Sequence, residues 1–304
     1  AMPQKLGPAG MAPSAASKEE KEQTNEELIS KLGLHMYDDS TGRYRVEEGR
    51  FIRLEEGTEW PASFGEVEFT TRSPDRPMAK FACVWDNTDC ETVVDMLTLW
   101  IPKPPTVTIS VTGAAQRMEL NNELERLVLD GLKSAADSTN AWIVDGGTDS
   151  GVMQMVGNAF ESTQGEVPVI GIAPWRAVTH KELFFSVDET KKLQSKRENA
   201  IEHNKVCSEK DKVDVPPAGY VGEPVKYVKR VVNSGKGSGI DPNHTHFVLV
   251  AADNPTSVFG GEIKLRAAVE ASIRKRFKVP GVCLVVQGGP GTYNTVYEQS
   301  KAGN

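Results

Sequence analysis

The sequence predicts an α/β fold in which helices cover both faces of a mostly parallel β-sheet. From residue 106 onward, short apolar runs alternate with amphipathic stretches of helical length, which is the pattern of βαβ units. Glycine-rich turns follow three of these runs, at residues 110–114, 145–151 and 287–292. Because glycine lets backbone N–H groups approach a ligand at a helix N-terminus, the turns predict a nucleotide or sugar-phosphate site.

Each predicted element rests on hydrophobic periodicity or on a bounded apolar run. Such runs predict strands at 65–69, 79–85, 106–111, 141–144, 167–173, 246–251 and 282–286. The runs before the second and third glycine turns, 141–144 and 282–286, are interpreted as buried strands. Helical spacing predicts helices at 89–100, 119–137, 151–160, 261–276 and 292–301. The apolar stripe of the second helix contains Leu124, Leu127, Val128, Leu132 and Ala135.

The composition is that of a globular protein, with 304 residues, 38% hydrophobic and 25% charged. The net charge of −7 argues against a nucleic-acid binder. No apolar stretch is long enough to cross a bilayer and no signal segment is visible, so we expect no direct membrane insertion. Cys83, Cys90, Cys207 and Cys283 lack metal-ligand spacing. Buried, reduced thiols are the favoured interpretation, with disulfide pairing as the alternative.

The chain is expected to divide into a tail and one large domain. Residues 1–45 are poor in aromatics and predict a disordered tail. Residues 46–304 predict the α/β domain, interrupted at about 186–242 by an irregular insertion with weak strand signals. The lysines of the insertion suit a solvated loop or an anionic partner. No predicted strand follows the last helix, so the sequence resembles a piece of a longer chain.

The second and third glycine turns contain residue types that bind phosphate. Gly147 and Thr148 in the second turn offer an N–H group and a hydroxyl, although an ordinary tight turn favours the same residues. In the third turn, Gly289 and Gly291 allow close backbone approach, and Thr292 can cap the helix or bind a phosphate oxygen. Both turns follow strands of one sheet, at the edge where α/β folds bind ligands.

Other candidate residues have two interpretations each. The histidines in 241–246 suit either a metal site or a polar strand-entry turn, and the lack of further ligands favours the turn. Phe259 and Arg266 suit either base stacking and diphosphate binding or a core ring and a solvated cation. Arg117, after the first turn, is equally ambiguous. No catalytic triad or carboxylate pair is visible, so no enzyme is predicted.

Several motifs, kept in order, resemble the N-terminal homology region of melastatin-type transient receptor potential (TRP) cation channels. They are Trp-Ile-Pro (100–102), Ile-Ser-Val-Thr-Gly-Ala-Ala-Gln (109–116), Gly-Gly-Thr-Asp-Ser-Gly-Val-Met (146–153), Gly-Ile-Ala-Pro-Trp (171–175), Asp-Pro-Asn-His-Thr-His-Phe (241–247) and Gly-Gly-Pro-Gly-Thr (288–292). Each motif alone is weak, whereas their order and spacing together are specific.

The resemblance implies a Rossmann-like, SLOG-type nucleotide-sensing fold on the cytoplasmic side of a homotetrameric plasma-membrane channel. The sequence resembles most the ADP-ribose-gated member, which implies ADP-ribose or a similar adenine nucleotide as ligand, with no metal and no cofactor. Other subunits and domains of the channel are the implied partners. The family's ligand contacts correspond to Thr112, Arg117, Phe259, Arg266, Gly289 and Thr292, and the neighbouring Gly113, Gly147, Thr148 and Gly291 complete the predicted site.

Some positions depart from the family pattern. Arg117 stands in place of an asparagine, Phe259 in place of a tyrosine, and Ala114 in place of a second glycine. The fold also resembles lysine-decarboxylase-like phosphoribohydrolases, whose motif requires a carboxylate where this chain has Thr295. Because threonine supplies no negative charge to an oxocarbenium-like centre, binding without hydrolysis is expected. A ligand-free assembly module is the third alternative.

Overall fold

The computed structural model describes residues 34–38, 43–46, 63–72, 76–115, 120–163, 165–185, 219–220, 224–228, 237–252 and 259–303. The strands are β1 (Leu34–Asp38), β2 (Arg43–Val46), β3 (Ser63–Phe69), β4 (Ala79–Trp85), β5 (Val107–Gly113), β6 (Ala141–Asp145), β7 (Val169–Pro174), β8 (Gly219–Tyr220), β9 (Val225–Tyr227), β10 (His246–Ala251) and β11 (Gly281–Val286). The helices are α1 (Cys90–Trp100), α2 (Asn122–Ser138), α3 (Gly151–Ala159), α4 (Ile263–Phe277) and α5 (Pro290–Lys301).

Nine of the strands form one sheet, in the order β11-β5-β6-β7-β10-β4-β3-β8, with β9 also paired to β3. The strands from β11 to β4 are parallel, and β3 runs antiparallel to β4. β1 and β2 form a separate antiparallel pair. The predicted α/β fold with a mostly parallel sheet is therefore confirmed.

The helices cover both faces of the sheet. α1 and α5 both pack on α4 on one face, and α2 packs on α3 on the other. The first face buries a core that contains Val94, Leu97, Trp142 and Val269, whereas α2 and α3 cover one that contains Ile143 and Val156. Central strands such as β10 and β6 are buried on both faces. α-Helices cover both faces of β6, whereas one face of β10 packs on the short 3-10 helices at 175–177 and 181–184.

Four burial predictions are wrong, including that of Leu124 on α2, which is 44% exposed. β11 is the edge strand of the described sheet, so Val282 and Val285 are about half exposed at 54% and 48%. The thiol of Cys283 on the same strand is exposed rather than buried, whereas Cys83 is buried as predicted. On α2, Leu127 is 68% exposed because it lies about 100° around the helix from Val128, outside the stripe that faces the sheet.

Most of the predicted tail (1–45) and insertion (186–242) lies outside the described residues, and both remain predictions. In the part of the chain that the structure describes, no helix is long and apolar enough to span a bilayer.

A buried histidine joins the end of β6 to the turn that leads into β10. The imidazole of His244 contacts Asp145 through Nε2 at 2.7 Å and Asp241 through Nδ1 at 3.0 Å. Burial alone lowers the pKa of His244, but the two adjacent carboxylates raise it to about 10. A charged imidazole therefore links two buried acidic groups. This geometry agrees with the strand-entry interpretation, and the described residues contain no cluster of three or more metal-ligating side chains.

The pKa of the second histidine of this turn, His246, is shifted in the opposite direction. The His246 ring stacks on Trp100, with 6.1 Å between the ring centroids. Burial, together with the positive charges of Lys80 and Arg72, lowers the pKa of His246 to about 3. The two histidines therefore titrate on opposite sides of their ordinary range.

These pKa shifts predict a stability maximum near pH 6.5. Above it, the folded state retains the proton of His244 that the unfolded state releases, so the free energy of unfolding falls as pH rises towards 10. Below it, His246 takes up a proton in the unfolded state but not in the folded state, so the free energy of unfolding falls as pH drops towards 3. Urea unfolding followed by tryptophan fluorescence at several pH values measures both slopes.

Substitution of the buried imidazole tests the same contact directly. His244→Asn leaves two buried carboxylates without their cation and should lower the free energy of unfolding by about 3–5 kcal/mol. His180→Asn removes an imidazole whose charged partner is the exposed carboxylate of Glu182 and which meets the Tyr227 ring edge-on, and should cost about 1 kcal/mol or less. Equal losses in the two variants would contradict the proposed role of His244.

Candidate functional site

Two of the glycine turns meet where the direction of the sheet connections reverses. β5 and β11 are parallel neighbours, in a register that pairs Gly113 with Val286. The chain leaves β5 towards α2 on one face and leaves β11 towards α5 on the other. Such a reversal opens a crevice at the carboxyl ends of the two strands, which is where open α/β sheets bind ligands. We call it the β5–β11 crevice.

The turn after β11 is shaped by its glycines. Gly288 has φ +132°, and a Cβ atom there would lie 2.2 Å from the hydroxyl oxygen of Thr292. Gly289 is the N-cap of α5, and no side chain caps this helix. Nothing lies within 4 Å of the position that a Cβ atom of Gly289 or Gly291 would take. Pro290 has no N–H group, and that of Thr292 donates to the carbonyl oxygen of Gly289 at 3.0 Å. The open N–H groups at this end of α5 are therefore those of Gly289 and Gly291, beside the partial positive charge of the helix.

The turn after β5 touches the turn after β11. A Cβ atom on Gly113 would lie 2.1 Å from the carbonyl oxygen of Val286, so only glycine fits this strand end. The Thr292 hydroxyl donates to the carbonyl oxygen of Gly113 at 2.9 Å. Thr112 is buried in β5, with 6% of its surface exposed. The structure thus brings Thr112, Gly113 and Thr292 together beside Gly289, whereas Arg117 lies outside the described residues.

The turn after β6 is engaged in internal contacts. Gly147 has φ +66°, and its N–H group donates to the carboxylate of Asp145 at 2.7 Å. Its carbonyl oxygen accepts from the N–H group of Asp241 at 3.0 Å. Thr148 is buried, and its hydroxyl lies 3.1 Å from that of Ser150. These contacts are those of a tight structural turn, the alternative interpretation of this motif.

Arg266 on α4 is buried at the floor of the crevice, with 5% of its surface exposed, and is not the solvated cation of the alternative interpretation. Its Nη2 donates to the carbonyl oxygens of Val111 at 3.0 Å and Val144 at 3.1 Å, near the ends of β5 and β6. Its Nε donates to Glu270 at 2.8 Å. Nη1 makes no hydrogen bond to the described residues and is the part of the guanidinium that can serve a ligand.

Three polar residues around Arg266 were not found from the sequence. Ser110, Glu270 and Gln299 each have less than 5% of their surface exposed. They contact one another beneath the crevice. Burial raises the pKa of Glu270, and the charge of Arg266 opposes that shift. The i,i+4 spacing of Arg266 and Glu270 on α4 is the one signal that predicts part of this cluster.

Phe259 precedes α4, with 51% of its surface exposed, so it is not the core ring of the alternative interpretation. Glu262, at the start of α4, accepts from the N–H group of Gly260 at 3.0 Å, and burial raises its pKa.

A separate open groove of about 680 Å³ runs along the second half of α4. It is lined by charged residues that include Arg274, Lys275 and Lys278, and by no residue of the glycine turns. The groove and the β5–β11 crevice are therefore different surfaces.

Comparison with known proteins assigns the chain to a family. The family LSDAT_euk, described as SLOG in TRPM, matches residues 79–212 and 221–303. Mouse transient receptor potential cation channel subfamily M member 2 is 30% identical over 251 residues, which cover 77% of this chain and 14% of the mouse protein. A subfamily M member-like 2 protein from Nematostella vectensis is 32% identical over 79% of this chain and 14% of its own length.

A more distant relative, human subfamily M member 7, is 27% identical over 72% of this chain and 11% of its own length. The chain therefore spans about a seventh or less of these relatives. The matched segments include β4, β5, β6, β7, β10 and β11, so they contain both strands of the crevice. This chain belongs to the SLOG family of the subfamily M transient receptor potential proteins.

Proposed function

We propose that this domain binds ADP-ribose or a related adenine nucleotide in the β5–β11 crevice and regulates a TRP melastatin-type cation channel. The observation that carries the proposal is the uncapped N-terminus of α5, which opens at the sheet reversal beside the end of β5. An N-terminus in this position is suited to a phosphate group, because its N–H groups and its dipole both favour negative charge.

The diphosphate is expected to lie over the first turn of α5. Gly289 and Gly291 have no side chain to keep a phosphate oxygen away from their N–H groups, and the space beside them is open. Arg266 contributes a fixed positive charge from below, through Nη1. The Thr292 hydroxyl donates its proton to Gly113, so it can offer a ligand only its lone pairs while that bond persists.

The adenine is expected to stack on Phe259, whose ring is half exposed ahead of α4. Thr112 and Arg117 complete the proposed contacts, as the family resemblance implies. Gly147 and Thr148 support the site indirectly, because they hold the neighbouring turn in place.

The proposed regulation of the channel requires that the ligand bind two channel conformations with different affinity. In a tetrameric channel with this domain on its cytoplasmic side, a ligand that binds one conformation more tightly shifts the channel towards that conformation. The other subunits and domains of the channel are then the partners that respond to this conformational change.

Hydrolysis is not part of the proposal. Thr295 is buried, and its hydroxyl donates to the carbonyl oxygen of Gly291 at 3.0 Å. A neutral side chain in this position can neither activate water nor stabilise an oxocarbenium-like centre. The nucleotide therefore stays intact.

The variant Gly289→Ser, at the N-cap of α5, should affect ligand affinity and folding stability in opposite directions. Gly289→Ser supplies a hydroxyl that caps the helix, so stability should rise by a few tenths of a kcal/mol. The same hydroxyl competes for the N–H groups that the phosphate needs, so ADP-ribose affinity should fall about tenfold. Calorimetric titration and thermal unfolding measure the two effects.

Gly131→Ser is the matched control, because Gly131 also has no atom within 4 Å of its Cβ position but lies on α2. It should leave the affinity unchanged. The proposal fails if the unaltered protein gives neither heat nor a thermal shift with millimolar ADP-ribose. It also fails at this site if Gly289→Ser binds as tightly as the unaltered protein.

Incubation with AMP tests the enzymatic alternative. We expect no release of adenine, because the position of the hydrolase carboxylate is taken by Thr295. Chromatography after overnight incubation detects the free base, and a lysine-decarboxylase-like phosphoribohydrolase serves as positive control. Turnover above that of a protein-free blank would establish an enzyme instead.

A further inference from the structure

Helix α5 is attached to strand β5 at two points. Near its start, the Thr292 hydroxyl donates to the carbonyl oxygen of Gly113 at 2.9 Å. Near its end, Nε2 of Gln299 donates to the Ser110 hydroxyl at 2.6 Å. Seven residues of helix and three residues of strand each span about 10 Å, so the two attachments are in register. Together they fix both the position and the tilt of α5.

The buried face of α5 is polar. Thr292, Thr295 and Gln299 are 7%, 6% and 2% exposed, whereas the aromatic residues Tyr293 and Tyr297 are 75% and 61% exposed. A helix usually docks through an apolar stripe, because apolar burial supplies most of the stabilisation. Here the position of α5 along β5 depends largely on hydrogen bonds, which are directional and few.

Gln299 connects α5 to the buried cluster around Arg266. Besides Ser110, its Nε2 donates to Oε2 of Glu270 at 3.1 Å. Glu270 accepts from Arg266 through its other oxygen, and Arg266 also donates to Ser110 at 2.9 Å. The last turn of α5 is thereby joined to the guanidinium that lies below the crevice, although Gln299 is two helical turns away from Thr292.

The side-chain amide of Gln299 is only partly satisfied. Its carbonyl oxygen Oε1 is buried and accepts no hydrogen bond from the described residues. An unsatisfied buried acceptor has a cost comparable to the gain from a hydrogen bond. A leucine in its place removes this acceptor and adds apolar contact, but it also leaves the buried Oε2 of Glu270 without the hydrogen bond from Gln299, so the free energy of unfolding should fall by about 1–3 kcal/mol.

We propose that Gln299 is a positioning residue for the β5–β11 crevice, holding α5 in the register that sets Gly289 and Gly291 beside Gly113 and above Arg266. The inference rests on the proposed function only for its ligand, because the register of α5 can be measured without one. Without Gln299, α5 keeps its contact at Thr292 and its packing on α4, but its last turn loses its attachment to β5, which allows a small tilt about Thr292. The N–H groups of the first turn then lose their fixed direction.

Gln299→Leu in the full chain is the test, with Asn294→Leu as matched control. Asn294 is an exposed amide on the same helix, so its replacement changes the same chemistry on the solvent face. We expect Gln299→Leu to accelerate amide hydrogen exchange over residues 291–299 and to weaken ADP-ribose binding, each about tenfold, as the loss of one or two buried hydrogen bonds implies. The melting temperature should fall by only several degrees relative to the control, because Oε2 of Glu270 loses the hydrogen bond from Gln299 while the apolar core is unchanged.

The outcomes separate this inference from the proposed function. If the unaltered protein binds no ADP-ribose, the proposed function fails, and the exchange rates still decide the role of Gln299. Unchanged exchange over 291–299 in Gln299→Leu overturns the inference whether or not ligand binds. A large fall in melting temperature with uniformly faster exchange across β5, β6 and α4 also overturns it, because Gln299 would then be a general stability residue.

Discussion

The pairing of β11 with β5 is the constraint on which the candidate site depends. β11 follows β5 by about 170 residues, yet it lies directly beside it, in register from Gly281 to Val286. The approach is so close that a side chain on Gly113 would meet the backbone of Val286. Because α2 and α5 then leave on opposite faces, the crevice between the two strand ends is a consequence of chain order.

Arg266 determines the electrostatics of that crevice. A buried guanidinium is costly unless its charge is compensated, and Glu270 supplies the compensating carboxylate. The pair is close to neutral, so the floor of the crevice attracts an anion less than a free arginine would. Most of the attraction for a diphosphate must therefore come from the N–H groups and dipole of α5. This makes the orientation of α5 more important for affinity than the number of basic residues nearby.

The alternation of strands and helices could be predicted from the sequence because it rests on local periodicity. β10, for example, lies where its apolar run predicts, at His246–Ala251. The order of strands in the sheet could not be predicted from the sequence, because it depends on contacts between distant segments. For that reason Val282 and Cys283 were assigned to a buried strand although β11 is at the edge. The glycine turns were recognisable from composition, but the direction of Arg266, and its partners Ser110 and Gln299, follow from packing between α4, α5 and β5.

The polar docking of α5 has a consequence for signalling. An element held by a few directional contacts has a small free-energy difference between neighbouring positions, whereas one with a large apolar face is fixed by its packing. Ligand binding at the first turn of α5 adds contacts at one end of such an element, and these bias its tilt at the other end. Tyr293 and Tyr297 lie on its exposed face and move with it. In the proposed function, a helix that is held by few contacts, touches the ligand and is exposed to neighbours is the physical route by which occupancy of this crevice would reach the rest of the channel.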